Sequence, residues 1–350
     1  MAFTTGELSS IANAALDFHF KGQPLPQSIQ DKPLLKLMEA GRKNFPGGKG
    51  DITRPVKGKY EFEGGQATNP GDLSGYTHDD TVAYGNIAGI ERAKFPWREV
   101  HTGWNCTLTE LKIDGITVVD SAMGKGTSNH SKREVTAITN IMQDKIETFS
   151  EIISKQMNDM LWGDGTTDPL GFLGVQYFVT DTPAVGVTGG LDRATMPWWR
   201  NRYKSIATAS EQIPEVFHSE WRQLRRFGGK PNLVLAGSDF LDALIVPLRE
   251  KGYYTDRGWK QSNATDISIA DVSYNGITFQ YDPTMDDLGF EKRCYVLDTR
   301  RLYMYAMDQE WGKDHNPARP HDIYAIFKAK TYTGQMCADQ LNCHGLYEIA

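Results

Sequence analysis

Between Ser131 and Gly163 apolar residues recur at helical spacing without a break: Val135, Ile138, Met142, Ile146, Phe149, Ile153, Met157 and Met160. Steps of three and four residues place them on one stripe of a helix. Ser131 and Glu134 form a serine-x-x-glutamate capping box at its start, and Gly163 stops it. A run of about 32 residues at 1.5 Å per residue predicts a helix of roughly 48 Å, a girder longer than most globular helices. Its polar side carries Lys132, Arg133, Asp144, Lys145, Glu147, Glu151 and Lys155.

The segments before the girder hold little core of their own. Residues 1–50 read as a short amphipathic stretch, Leu8 to Phe20, then a second helix from about Lys32 to Asn44 closed by PGGKG, an arm that packs on something else. From Asp51 to Lys94 the chain turns to glycine, charge and aromatics. Tyr60, Phe62, Tyr76, Val82 and Tyr84 surround a turn cluster at Thr68 to Gly75, which predicts a long two-stranded excursion. An isolated hairpin is marginal in water, so it needs a neighbour. A tighter hairpin is predicted in LTELKIDGITVVD, turning at Asp114 and Gly115.

After the girder comes a compact mixed region. Pro214 can start a helix with Phe217, Trp221 and Leu224 on one face and Gly228 and Gly229 at its end; NLVLAGS is then a buried strand, and Ser238 caps a further helix through Phe240, Leu241, Leu244 and Leu248. Asn275 and Gly276 predict a hairpin, followed by strands RCYVLD and LYMYAM. The tail His321 to Lys330 is strand-like with no partner nearby in sequence, so it is expected to return to the girder, and GLYEIA ends the chain.

At 350 residues a large core can be buried, as one large domain or two to three smaller ones. The formal charge of −6 argues against a surface matched to phosphate throughout, since non-specific nucleic-acid binding is mostly lysine and arginine displacing counterions. Any polyanion contact is local. The start lacks a basic segment followed by an unbroken apolar core, and no stretch approaches a membrane span, so no membrane partner is expected. Cys106, Cys294, Cys337 and Cys343 match no common zinc spacing and read as buried thiols.

No catalytic constellation emerges, and no cofactor or metal is expected. GKGTS at 124–128 lacks the lysine followed directly by serine or threonine that a phosphate loop needs. Asp282, Asp286 and Asp287 could gather around a cation, or serve a metal-assisted hydrolase, but they lack EF-hand spacing and read as a solvated turn. The eight histidines show no metalloprotease pairing. The protein is read as not an enzyme.

Two surfaces combine aromatics and bases. In GGLDRATMPWWRNRY, residues 189–203, Trp198, Trp199, Arg200 and Arg202 have the ingredients of a base-stacking platform, which is the basis of an alternative reading as a nucleic-acid-binding protein. Tryptophan and arginine are equally the residues enriched at protein interfaces, so the segment is expected to join pieces of the chain or pin one subunit to the next, its arginines on carboxylates. In EWRQLRRFGGK, Arg222, Arg225 and Arg226 lie off the inward face and can meet phosphate or a neighbour's carboxylates.

The order of parts, an arm, a long hairpin without its own core, a girder helix, a compact α/β module and a returning tail, resembles the HK97-fold major capsid proteins of tailed bacteriophages. The segments GYTHDDTV (75–82), AKFPWREVHTG (93–103), TSNHSKRE (127–134), GGLDRATMPWWRNR (189–202), EWRQLRRFGGKP (220–231) and KRCYVLD (292–298) look like those of a group of phage capsid proteins. The resemblance covers nearly the whole chain. It implies an α+β HK97-like capsid fold: an N-terminal arm (1–50), an extended hairpin or E-loop with its return strand (51–112), a peripheral domain (113–195) with spine helix 131–162, an axial domain (196–316) and a C-terminal return to the peripheral domain (317–350). It further implies self-assembly into hexamers and pentamers of an icosahedral shell around double-stranded DNA, touched by local non-specific contact. The partners so implied are a separate scaffolding protein, a portal and decoration or minor capsid proteins, with the virion as final location after assembly in the host cytoplasm. Interface candidates are Trp198, Trp199, Arg200, Arg202, Arg222, Arg225, Arg226, Tyr60, Phe62 and Tyr76.

Overall fold

The computed structural model describes residues 29–45, 50–58, 75–79, 84–86, 89–107, 132–207, 209–250, 273–274, 276–315 and 325–350. The chain divides into two units, Met1–Asp31 and Lys32–Ala350. In the first, Ile29 is exposed. All helices and strands of the described residues belong to the second.

In chain order these are α1 (Pro33–Ala40), β1 (Lys43–Phe45), β2 (Asp51–Val56), β3 (Glu91–Pro96), β4 (Arg98–Thr107), α2 (Lys132–Trp162), α3 (Val175–Phe178), β5 (Val187–Thr188), β6 (Leu191–Asp192), a 3₁₀ turn (Pro197–Trp199) and β7 (Arg202–Ile206). There follow α4 (Ala209–Arg225), β8 (Leu233–Ala236), α5 (Ser238–Glu250), β9 (Ser273–Tyr274), β10 (Ile277–Tyr281), α6 (Pro283–Asp287), β11 (Arg293–Leu297), β12 (Leu302–His315), β13 (Ala325–Ala338) and β14 (Gly345–Ile349).

The girder is α2, 31 residues long. Its last turns bury Met157, Leu161 and Trp162 in one core with α1 and the four-stranded sheet. Asn158 is buried among them, and it is satisfied: it accepts from Leu35 N and donates to Thr284 Oγ1 at 2.7 Å. The α1 helix is shorter than the sequence reading of Lys32 to Asn44. It ends at Gly41, and Lys43–Phe45 lies parallel to β12 instead, with Phe45 packed on Trp97 and Tyr305.

That sheet runs β1-β12-β13-β4. The tail strand β13 finds one partner directly upstream in β12 and the other in β4, Ala325↔Thr107 through Gly334↔Arg98. The expectation that it lacks a sequence neighbour came from reading only LYMYAM as strand, whereas β12 continues through two irregularities around Trp311 to His315. The strands β2 and β3 form a separate antiparallel pair, Asp51↔Pro96 through Val56↔Glu91, whose buried alternate positions are Ile52, Val56, Ala93 and Phe95. They bracket residues 57–90, the segment in which the sequence predicts the long excursion. Of its aromatic markers, Tyr76 and Tyr84 are 71% and 89% exposed, while Tyr60, Phe62 and Val82 lie outside the described residues, as do Leu8 to Phe20, the hairpin at Asp114 and Gly115, Ser131 and GKGTS.

The second sheet has six strands in the order β7-β14-β11-β8-β10-β9. Central β8 is buried at all four positions, as expected for a strand covered on both faces. Phe217, Trp221, Phe240 and Leu244 from α4 and α5 fill the second core. Pro214 lies inside α4 and does not start it; Ile213, one turn before Phe217 on the buried stripe, draws the helix upstream to Ala209. Gly276 turns β9 into β10 at φ 83°.

Two boundaries read from sequence therefore move. Residues 302–315, placed with the compact module, belong to the four-stranded sheet, and 345–349, placed with the C-terminal return 317–350, insert between β7 and β11 of the six-stranded sheet. After it has entered the six-stranded sheet at β7, the chain crosses between the sheets twice, at 298–301 and 339–344. No described helix is long and apolar enough to cross a membrane.

Candidate functional site

The segment 189–203 is a junction. Gly189 and Gly190, at φ 61° and 78°, turn β5 into β6, and a Cβ on Gly189 would sit 2.9 Å from the Phe95 ring. The Gly189 carbonyl accepts from Lys94 N and its N–H donates to Tyr177 Oη, so the turn is held against β3 and α3. Trp199 is wholly buried, its Nε1 donating to Thr188 O at 3.0 Å. Trp198 covers Gly58, where a Cβ would fall 1.7 Å from its ring.

Arg193 is 1% exposed, and each of its nitrogens donates to an uncharged acceptor: Nε to Thr188 Oγ1, Nη1 to Thr180 Oγ1 and Asn201 Oδ1, Nη2 to the carbonyls of Tyr177 and Phe178. Burial pulls its pKa down to about 10, still cationic at neutral pH. Arg200 donates to the carbonyls of Arg193 and Ala194 at 2.5 and 2.7 Å. Arg202 forms a fork onto Glu220, both bonds 3.0 Å, tying β7 to α4. The expected arginine–carboxylate pairing thus exists for Arg202, whereas Arg193 and Arg200 grip backbone and hydroxyl oxygens. This geometry gathers five parts of one chain. With Trp199 inside, neither a base nor another subunit can stack on it.

The other candidates lie apart. Arg222 and Arg225 are exposed on the last turns of α4 and Arg226 in the turn after it, with Trp221 and Leu224 turned inward. Arg226 leans over the ring of the exposed Phe227. Tyr76 is exposed, and Tyr60 and Phe62 lie outside the described residues.

Three polar clusters escaped the sequence reading. Asp282 is wholly buried, not part of a solvated turn: it caps α6 through Thr284 N and accepts from Trp162 Nε1 at 3.1 Å, fastening the end of the girder. Asp286 accepts from Ser238 N and Tyr281 Oη, which pushes the Tyr281 phenol up to about 12. At the base of the excursion, Arg54 forks onto Asp339 at 2.6 and 3.0 Å, Tyr303 donates to the same carboxylate, and Lys43 sits 3.3 Å from the centre of the Tyr303 ring.

Between the two crossings, buried His344 accepts on Nδ1 from Asp298 N at 3.2 Å. Burial drives its pKa down to about 4, so it is neutral. Burial alone would raise the neighbouring Asp298 carboxyl, but Arg300 and the N–H groups of Lys230 and Arg300 outweigh it and hold it below the usual range. The bonds from Asp298 N to His344 and from Arg54 to Asp339 span 46 and 285 residues, and no local spacing announces them. Burial raises Cys294, Cys337 and Cys343 far above reactive values, the last to about 12. Among the described residues no three metal-ligating side chains converge.

A long helix beside a four-stranded sheet, a separate two-stranded pair, and a six-stranded module tied to that sheet by two adjacent crossings make up the HK97-like fold of phage capsid proteins. A chain of the cyanophage A-1(L) capsid asymmetric unit superposes with a TM-score of 0.66 at 16% identity, over 93% of this chain and 94% of that one. The capsid of Myoviridae phage XM1 gives 0.51 at 11% identity over 93% and 94%, and the holo-SrpI encapsulin complex of Synechococcus elongatus PCC 7942 gives 0.52 at 8% over 99% and 96%. No protein-family model and no curated protein matches the sequence.

Proposed function

We propose that this chain is the major capsid protein of a tailed bacteriophage, assembling as hexamers and pentamers into an icosahedral shell around double-stranded DNA. One observation carries the reading: similarity to the chain of the cyanophage A-1(L) capsid asymmetric unit extends over 93% of this chain and 94% of that one, so the likeness takes in arm-side, sheet and module elements together. Shell formation needs no strong single contact, because a weak one repeated many times gains effective concentration from its neighbours. An acidic balance suits a container that should not hold its contents over the whole inner wall.

In this reading the four-stranded sheet with α2 is the peripheral domain, the six-stranded module the axial domain, 1–50 the arm and the excursion between β2 and β3 the E-loop. Copies of itself are the first partner, then a separate scaffolding protein, a portal and decoration or minor capsid proteins, with final residence in the virion. The chain's work is geometric, not catalytic. Expressed with its scaffold, it should give closed particles in electron micrographs; nuclease-protected duplex DNA in particles from infected cells marks a genome shell, and DNA-free particles a protein compartment. Deleting 63–72 should leave a soluble fold that no longer assembles, and particles at normal yield would refute the inter-subunit role of the excursion. The alternative, a base-stacking platform, loses its footing with Trp199 wholly buried.

A further inference from the structure

The two ends of the six-stranded sheet carry opposite charge. Since β8 and β11 are antiparallel, one end gathers the start of β8, the end of α4 and the turn after β11. Arg222, Arg225, Arg226, Lys230 and Arg301 are exposed there. The pieces are tied together: Lys230 N donates to Asp298, Arg300 reaches both Asp298 and the Lys230 carbonyl, and Gln340 donates to Phe227 O. The carboxylate among them, Asp298, is buried.

The other end, about 16 Å away along β8 and its flanking residues, gathers the starts of α5 and β11 with α6. Asp239, Asp242, Asp287 and Glu291 are exposed there, with Lys292 the exposed base beside them. Phe240 N donates to Glu291 O, and Ser238 N to Asp286, so these carboxylates also share one surface. Each end shows apolar surface as well, Phe227 at 60% on the basic side, Tyr281 at 47% and Leu288 at 39% on the acidic side.

Helix dipoles favour bases at the end of α4 and acids at the start of α5, which accounts for Arg222, Arg225 and Asp239. It does not account for Lys230, Arg301 or Glu291, which lie outside the helices. A duplex would use the basic end and leave the acidic end with Tyr281 and Leu288 unexplained. Two-fold pairing of either end with itself would set like charge on like. Opposite patches on one chain fit a heterologous contact, which closes into a ring when the rotation per step closes.

We propose that the two ends are the halves of one head-to-tail contact between copies of this chain, the basic end of each copy seated on the acidic end of the next. The inference rests on the shell reading, and it names the surfaces by which copies meet. Complementary charge fixes orientation and speeds encounter, while Phe227, Tyr281 and Leu288 supply the area that leaves water.

Charge exchange tests it. Under conditions in which the unaltered chain assembles, R225E/R226E and D239K/D242K should each lower particle yield by at least ~10-fold, and the chain carrying all four changes should recover to within ~2-fold, because its poles are exchanged and complementary again. Sedimentation and electron microscopy give the yields, and circular dichroism verifies the fold. If a reversed chain fails to fold, the neutral pairs R225Q/R226Q and D239N/D242N replace it, each expected to lower yield. Undiminished yield in either single-ended variant, or no recovery in the folded four-fold variant, overturns the contact. So does R225E/R226E that assembles normally and loses only salt-dependent duplex binding. A chain that is monomeric in every condition fells the shell reading too; an assembling chain indifferent to reversal fells this contact alone.

Discussion

Arg193 shows how one side chain can organise a junction without an ion pair. Taking a guanidinium out of water is costly unless its donors are all met, and here three side-chain oxygens and two carbonyls meet them. Arg193→Met should therefore strand five acceptors and cost about 3 kcal/mol or more, and Arg193→Lys should recover little of it, since an ammonium cannot span the fork. Denaturant unfolding decides: a loss under ~1 kcal/mol would mean water or rearrangement replaces the guanidinium. Trp199→Ala, at a wholly buried ring, should cost about 3–5 kcal/mol by the same measurement.

His344 makes a pH prediction. Burial holds its pKa in the folded chain at about 4, below the ordinary imidazole value of 6.5, so the unfolded chain binds the proton more tightly. The neutral form's full contribution is present above pH 6.5 and is lost progressively as pH falls toward 4, to a total of about 3 kcal/mol. His344→Asn keeps an acceptor for Asp298 N and should flatten stability over that window; an unchanged slope would show that other groups carry the acid sensitivity.

At the scale of elements, the fork of Arg54 on Asp339 anchors β2 to the second crossing, 285 residues away. Both side chains are partly exposed, so solvent screening limits the pair to about 1 kcal/mol of coupling in a double-mutant cycle. The sharper readout is local: Asp339→Asn should speed amide exchange in β2 and β3 while β8 and β11 stay protected. Uniform acceleration across both sheets would make it a general stability residue.

The same elements show what a sequence can tell. The girder, β8 and the Gly276 turn were legible because period, burial and positive φ are local properties. Helix α1 was overextended because Lys43–Phe45 answers to β12 and not to its own propensity. The tail was half legible: β13 reads as a strand, but its pairing with β12 was hidden by the irregular stretch around Trp311, and β14 could not be placed because nothing in GLYEIA names β7 or β11. Asp282 shows the same limit within a site, its charge read as surface although its fate was set by Trp162, 120 residues earlier.

In the described residues of the second unit, one face of the six-stranded sheet shares a core with the four-stranded sheet, α1 and the end of α2, and its other face packs under α4 and α5. Such a chain keeps much of its bonding capacity for neighbours. In the proposed shell, the opposed charges on the six-stranded sheet would give that capacity a direction, and Trp199 and Arg193, both deeply buried, would be left out of the contacts between copies. The most direct test of the central claim is electron cryomicroscopy of whatever the chain forms when expressed alone and with the proposed scaffolding protein. The account predicts closed icosahedral shells whose hexamers and pentamers repeat the present fold; a chain that remains strictly monomeric in every such condition would contradict it.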